Sequence, residues 1–221
     1  SSLRIPRIMT GRATSGRIGL YFGSFNPIHL GHLIIANHMV NRADLDEVWM
    51  VVTPTSPFKL DDEIIPEQQR LQMVRLAVAE NSSIYASDVE FHLPRPNYTA
   101  NTLRYLRSEH PEIEFSVIIG EDNFENLHRW QEYEDIISNH RILVYPRRVS
   151  SPNIPPSHAP NKEGKTVVGK DQVVVFTEAP MIAISSSYIR EAIQNKQDIL
   201  INHMLQNHPN KSTVLHHYKY H

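Results

Sequence analysis

Short runs of apolar and β-branched residues alternate with amphipathic stretches along the chain. The runs Ile18 to Phe22, Val48 to Val52, Ile84 to Val89, Phe115 to Ile119, Ile142 to Tyr145 and Val173 to Phe176 predict strands. The stretches Leu30 to Asn41, Pro66 to Asn81, Thr99 to His110 and Glu121 to Ser138 predict helices, and in the second Leu71, Val74 and Val78 share one face. Pro66 suits a first helical turn. Parallel strands need crossovers, so this alternation, with few hairpin signals, predicts an α/β domain: a doubly wound, mostly parallel sheet covered by helices on both faces.

The pattern changes between Arg147 and Gln172, where Pro152, Pro155, Pro156 and Pro160 lie among Ser, Asn, Lys and Gly; this predicts an exposed loop. One more strand follows, then a Ser-rich turn and two helical stretches near Ser186 to Asn195 and Ile199 to Asn207, a small C-terminal helical part. Residues 1–16 are expected to be a flexible extension, 17–208 the domain and 209–221 a tail, whose His216, His217 and His221 mark an exposed end rather than a metal site.

Composition narrows the chemistry. The 221 residues include 40% hydrophobic positions, enough for one substantial core, and the formal net charge of -2 gives no general affinity for nucleic acid or anionic membrane. The absence of Cys excludes disulfides, thiolate nucleophiles and Cys-ligated metals, and agrees with a cytoplasmic setting. No apolar run approaches the roughly 18 residues needed to span a bilayer. The first 17 residues carry Arg4, Arg7, Arg12 and Arg17 without the apolar stretch of a secretory signal.

Gly23-Ser-Phe-Asn-Pro-Ile-His-Leu-Gly-His32 joins the first strand to the first helix. Gly23 allows close backbone approach, Pro27 stiffens the turn, and the free amides of a helix start suit a phosphate. His29 and His32 lie on roughly the same side of that start, where imidazoles can donate to phosphate oxygens; a helix cap or satisfied surface pair is the competing explanation. Zinc would need a third ligand, and none of His92, His110, His128 or His140 stands at a spacing that singles it out, so no metal site is assigned. A second anion site is suggested by Ile184-Ser-Ser-Ser-Tyr-Ile-Arg190, where three hydroxyls precede a helical pattern and a cation follows; simple capping by Ser is the alternative.

These segments resemble the HxGH and ISSTxIR signatures of the nucleotidylyltransferase superfamily, with Ser187 where Thr is common. Asn97-Tyr-Thr-Ala-Asn-Thr-Leu103 and Ile118-Ile-Gly-Glu-Asp-Asn-Phe124 with Trp130 further resemble the YTxxTL and IGxD...W stretches of bacterial nicotinate mononucleotide adenylyltransferases. Ser24 and Asn26 depart from the Gly-Gly-Thr-Phe-Asp-Pro form common in those enzymes, so no carboxylate role passes to Asn26, though its amide can orient substrate. The resemblance covers most of residues 17 to 208 and implies a Rossmann-like nucleotidylyltransferase fold.

It also implies adenylyl transfer from ATP, with Mg²⁺, to nicotinate mononucleotide, releasing pyrophosphate. His29, His32 and Arg190 would be catalytic. Gly23, Ser24, Phe25, Gly120, Asp122, Ser185, Ser186 and Ser187 would join them around ATP. Asn26, Lys59, Tyr98, Thr99, Thr102, Trp130 and Arg147 would meet the acceptor. From the residues alone, Thr99 and Thr102 can equally cap a helix, Trp130 can be a core residue, Asp122 can initiate a helix, and Lys59 and Arg147 can be solvated. Nicotinamide mononucleotide or pantetheine phosphate are alternative acceptors, and a nucleotide-binding sensor is the non-enzyme alternative. A homodimer is open, with no apolar stripe to mark its face. Neither Gly-x-Gly-x-x-Gly nor a Walker-type loop is present to support a dehydrogenase or a P-loop ATPase.

Overall fold

The computed structural model describes residues 13–54, 64–145, 165–168 and 173–176. Seven strands form one sheet: β1 (Gly16–Gly23), β2 (Glu47–Val52), β3 (Ile84–Ser87), β4 (Ile113–Gly120), β5 (Arg141–Tyr145), β6 (Lys165–Val168) and β7 (Val173–Phe176). The spatial order is β3-β2-β1-β4-β5-β7-β6, parallel throughout except for the antiparallel β6–β7 pair. Among the described residues, five α-helices accompany them: α1 (Leu30–Arg42), α2 (Glu67–Val78), α3 (Thr99–Glu109), α4 (Glu121–Glu125) and α5 (Tyr133–Asn139).

The unbroken apolar strand runs have a direct cause, since a parallel sheet covered on both faces must bury both sets of alternating side chains. Val48, Met50 and Val52 of β2 join Ile118, Leu143 and Tyr145 in a core closed by α1 and α2 through Ile35, Met39, Leu71 and Val74. Trp49 and Val51 point the other way, to Ile18, Leu20, Phe115, Val117 and Ile142 beneath α3 and α5, which contribute Leu103, Leu106 and Ile136. Gly19 sits mid-strand because a Cβ there would stand 2.6 Å from Leu45 and 2.8 Å from Ile118.

Four expectations need correction. The strand beginning at Ile84 ends at Ser87 and passes into a single 3-10 turn over Val89–His92. Pro66 precedes α2 rather than lying in its first turn. The helix expected over Glu121 to Ser138 is α4, a 3-10 turn at Leu127–Arg129, and α5; Glu132 adopts φ 54, a left-handed conformation that a continuous α-helix excludes. Within the expected loop from Arg147 to Gln172, Lys165–Val168 forms β6, an edge strand paired with β7. The proline-bearing part of that loop, the extension before residue 13 and the C-terminal helices and tail lie outside the described residues.

At the end of the sheet where β4 and β5 begin, His140 is 2% exposed. Its Nδ1–H donates to the Phe115 carbonyl at 2.8 Å, and its Nε2 accepts from Arg107 at 2.7 Å. Burial, reinforced by Arg107 against the Phe115 carbonyl and Asp135, holds its pKa below the ordinary value. The folded chain therefore favours the neutral ring, so this stability is present above the unfolded value of about 6.5 and is lost as pH falls below it. His140→Asn, which keeps a donor for Phe115, should be less stable than wild type at pH 7.5 yet lose less stability between pH 7 and 5.5. Denaturant titrations at both pH values would reveal this; parallel slopes would place the acid sensitivity elsewhere.

Candidate functional site

Strand order reverses between β1 and β4, because the chain first builds outward through β2 and β3 and then returns to the other side of β1. Open α/β sheets bind ligands beyond the C-terminal ends of strands at such a switch point. Here that region receives the β1–α1 connection, the ends of β2 and β4, and the start of α3.

The β1–α1 connection is a packed structure in its own right. Phe25 has φ 47, and its ring is 2% exposed, lying edge-on to Tyr21 at 5.6 Å and to His32 at 5.0 Å. A Cβ on Gly23 would stand 3.1 Å from that ring. The Cβ side of Gly23 is thus filled by the Phe25 ring, which also lies edge-on to His32. Ser24 is exposed. Asn26 accepts the Ile65 amide proton at 2.9 Å, so its carbonyl oxygen holds the approach to α2.

His29 and His32 come together as the i, i+3 spacing predicts, their rings stacked with centroids 3.7 Å apart and planes inclined by 22°. The His29 backbone N–H donates to His32 Nδ1 at 3.1 Å. A nitrogen that accepts cannot carry the proton, so a neutral His32 carries its proton at Nε2. His29 opens α1 in an extended conformation, its carbonyl accepting from the amides of His32 and Leu33.

Two buried charges unmarked in the sequence reading organise the surroundings. Arg70 on α2 is 1% exposed and donates to three backbone carbonyls: Ser24 at 2.5 Å, Thr53 at 2.8 Å and Ile65 at 2.8 Å. Burial lowers its pKa, against the opposing pull of Glu67. Glu90, 2% exposed in the turn after β3, accepts from Thr53 Oγ1 at 3.0 Å and from Thr102 Oγ1 at 2.6 Å. Burial raises its pKa, while the two hydroxyls pull it down. The helical spacing of Arg70 with Val74 and Ala77 was an available signal; Glu90 had none beyond its place after a strand.

The remaining sequence-predicted residues divide. Thr102 is 1% exposed with its hydroxyl given to Glu90, which turns it inward rather than toward a substrate. Thr99 opens α3 half-buried, and Tyr98 before it is 41% exposed. Gly120 ends β4 buried, and Asp122 is exposed in the first turn of α4. Trp130 packs half-buried against the α3 side of the core. Lys59, Arg147, Ser185, Ser186, Ser187 and Arg190 lie outside the described residues.

The chain matches a family model described as Cytidylyltransferase-like over residues 20–192. It is 49% identical to a Flavobacterium psychrophilum protein over 183 residues, 83% of this chain and 89% of the relative. A Bacteroides fragilis relative is 44% identical over 186 residues, 83% of this chain and 85% of the relative. Both are named "Probable nicotinate-nucleotide adenylyltransferase". Among solved structures, Plasmodium falciparum nicotinic acid mononucleotide adenylyltransferase complexed with NaAD superposes with a TM-score of 0.66 at 19% identity, covering 92% of this chain and 96% of that one. That likeness confirms the Rossmann-like α/β fold.

The contact between Gly23 and Phe25 carries a stability prediction. Gly23→Ala forces the ring to move and should cost roughly 1–3 kcal/mol, as overpacking does. Combined with Phe25→Leu, which frees space, its cost should shrink, so that a denaturation double-mutant cycle shows marked coupling; additive losses would mean the two sites do not clash.

Proposed function

The chain belongs to the nicotinate-nucleotide adenylyltransferase family within the cytidylyltransferase-like group, and from that premise we propose that it transfers the adenylyl group of ATP to nicotinate mononucleotide, making nicotinic acid adenine dinucleotide and pyrophosphate. The observation that carries this reading is the stacked His29–His32 pair at the start of α1, with His32 Nδ1 accepting the His29 amide proton.

The reaction asks little covalent chemistry of the protein. An oxygen of the acceptor's phosphate attacks the α-phosphorus in line; that P–O bond forms as the bond to the β-phosphate bridging oxygen breaks, and pyrophosphate leaves with the electron pair. The attacking oxygen is already anionic, so positioning and neutralisation of charge outweigh proton abstraction. We assign His32 and His29 to the triphosphate beside the α1 amides, and Arg190, with Ser185, Ser186 and Ser187, to the departing phosphates. Lys59 and Arg147 are assigned to further phosphate or substrate contacts.

The acceptor is assigned to the opposite side of the switch point. The first amides of α3, at Thr99 and Ala100, have no acceptor within the helix and suit the nicotinate carboxylate. Trp130, half-buried, is assigned to stacking on the pyridine ring. Gly120 is placed against adenosine. Mg²⁺ would arrive with the triphosphate, whose charge it would partly neutralise, with Asp122 contacting it through water; among the described residues no group of three or more His, Asp or Glu is arranged as a metal cage. No helix of the described residues is long and apolar enough to cross a membrane.

Pyrophosphate release with both pyridine mononucleotides tests the reaction and the acceptor together. The acid should give the higher kcat/KM; equal or higher efficiency with the amide would reassign the acceptor, and ATP binding without any release would favour a sensor. His32→Ala should lower kcat by about 10²-fold or more, the scale of losing an oriented transition-state donor, while its denaturation midpoint stays near wild type. Near-wild-type turnover in that folded variant would remove His32 from the mechanism.

A further inference from the structure

The mechanism above makes no use of Glu90, a carboxylate 2% exposed at the catalytic end of the sheet. Its contacts form a chain. On one side Thr102 Oγ1, in the first turn of α3, donates to Glu90 Oε2, and the Asn97 side chain, in the segment leading into α3, donates to the Glu90 carbonyl at 3.0 Å. On the other side Thr53 Oγ1 donates to Glu90 Oε1. Thr53 continues the chain through its backbone: its N–H donates to the Gly23 carbonyl at 2.8 Å, and its carbonyl accepts from Arg70, which also holds the Ser24 carbonyl. An unbroken set of buried and partly buried hydrogen bonds thus runs from the β1–α1 loop, across the end of β2, to the start of α3.

We propose that Glu90 is a positioning residue that fixes the acceptor subsite at the start of α3 relative to the phosphate loop, acting through Thr102 on one side and through Thr53 and Arg70 on the other. The inference rests on the reading of the α3 start as the acceptor subsite. Glu90 is too buried to touch a substrate, and both its oxygens are engaged within the chain. Elsewhere α3 is held by the apolar contacts of Ala100, Leu103 and Leu106 and, toward its C-terminal half, by Arg104 and Arg107 bound to Glu132, Asp135 and His140. The Glu90 bond ties its first turn to the end of β2, and in-line transfer is sensitive to displacements of about 1 Å.

Steady-state kinetics of the full chain with ATP and nicotinate mononucleotide test the link, with the wild type measured first. Glu90→Ala should raise KM for the mononucleotide about tenfold, the scale of losing hydrogen bonds to an ionisable buried group, while leaving KM for ATP within about twofold. Glu90→Gln retains an acceptor and the shape, and should restore KM for the mononucleotide to near wild type. Thr53→Val and Thr102→Val each delete one hydroxyl and keep the backbone contacts. Each should raise the same KM, and the double variant should be little worse than the poorer single one, because one broken link already opens the chain. These milder variants decide the matter if Glu90→Ala does not fold. A loss of kcat with both KM values unchanged, an equal rise in both, or additive Thr variants would overturn the link. Absence of wild-type turnover with this acceptor would overturn the functional reading itself, and the link with it.

Discussion

The C-terminal end of the sheet depends on one buried cation. Arg70 carries a charge that elsewhere on α2 would sit in water, and withdrawing an ion from water costs several kcal/mol unless its donors are used. They are used on carbonyls at three places in two connections, Ser24 between β1 and α1 and Thr53 and Ile65 at the two ends of the β2–α2 connection. Charge-assisted bonds of this kind offset the desolvation, and the planar guanidinium distributes donors in directions that a lysine ammonium cannot reproduce. The three segments cannot separate without stranding that cation. The shape of the β1–α1 loop is therefore settled before any ligand arrives, which reduces the ordering cost of binding.

That constraint differs from what holds the opposite end. There Arg104 and Arg107 meet Asp135 and Glu132 in partly exposed pairs, of a kind worth at most about 1 kcal/mol each. Stability comes chiefly from the two apolar layers, in which the alternating faces of β1, β2, β4 and β5 are buried. Buried polar side chains lie at both ends of the sheet, and at its C-terminal end Arg70 faces its carbonyls and Glu90 its two hydroxyls. Directional bonds at that end locate the functional side chains more closely than apolar packing can.

Legibility in the sequence follows the same division. The strands could be read because a sheet covered on both faces demands continuous apolar runs, and the His pair because one helical turn separates His29 from His32. The break at Glu132 could not, since neither Gly nor Pro marks a residue that the fold places in the left-handed region. β6 was hidden because four residues next to a proline-bearing stretch give too short a period to count, and only pairing with β7 defines them. Gly23 was read by what glycine permits; that its Cβ side packs on Phe25 depends on a side chain two residues away that the sequence does not orient. Arg70 and Glu90 resemble surface charges because their partners are backbone carbonyls and hydroxyls distant in the chain.

A chain with a net charge of -2 that handles a triphosphate and an acidic mononucleotide must rely on local, oriented donors rather than on a general positive field. On the proposed assignment, helix starts and imidazoles supply them without a net cationic surface. α1 packs with the Met39 and Leu143 side of the core, whereas α3 packs with the Leu103 and Phe115 side, so their N-terminal turns reach the end of the sheet from opposite faces. In-line transfer needs the attacking and departing oxygens on opposite sides of one phosphorus. On the proposed assignment, α1 donors meet the triphosphate from one face and the α3 amides meet the nicotinate carboxylate from the other, so the two substrates reach the switch point from opposite sides. The fine adjustment between them then falls to the bonds that cross the sheet's end, and Thr53, whose backbone faces the phosphate loop and whose hydroxyl faces Glu90, is where the two halves meet.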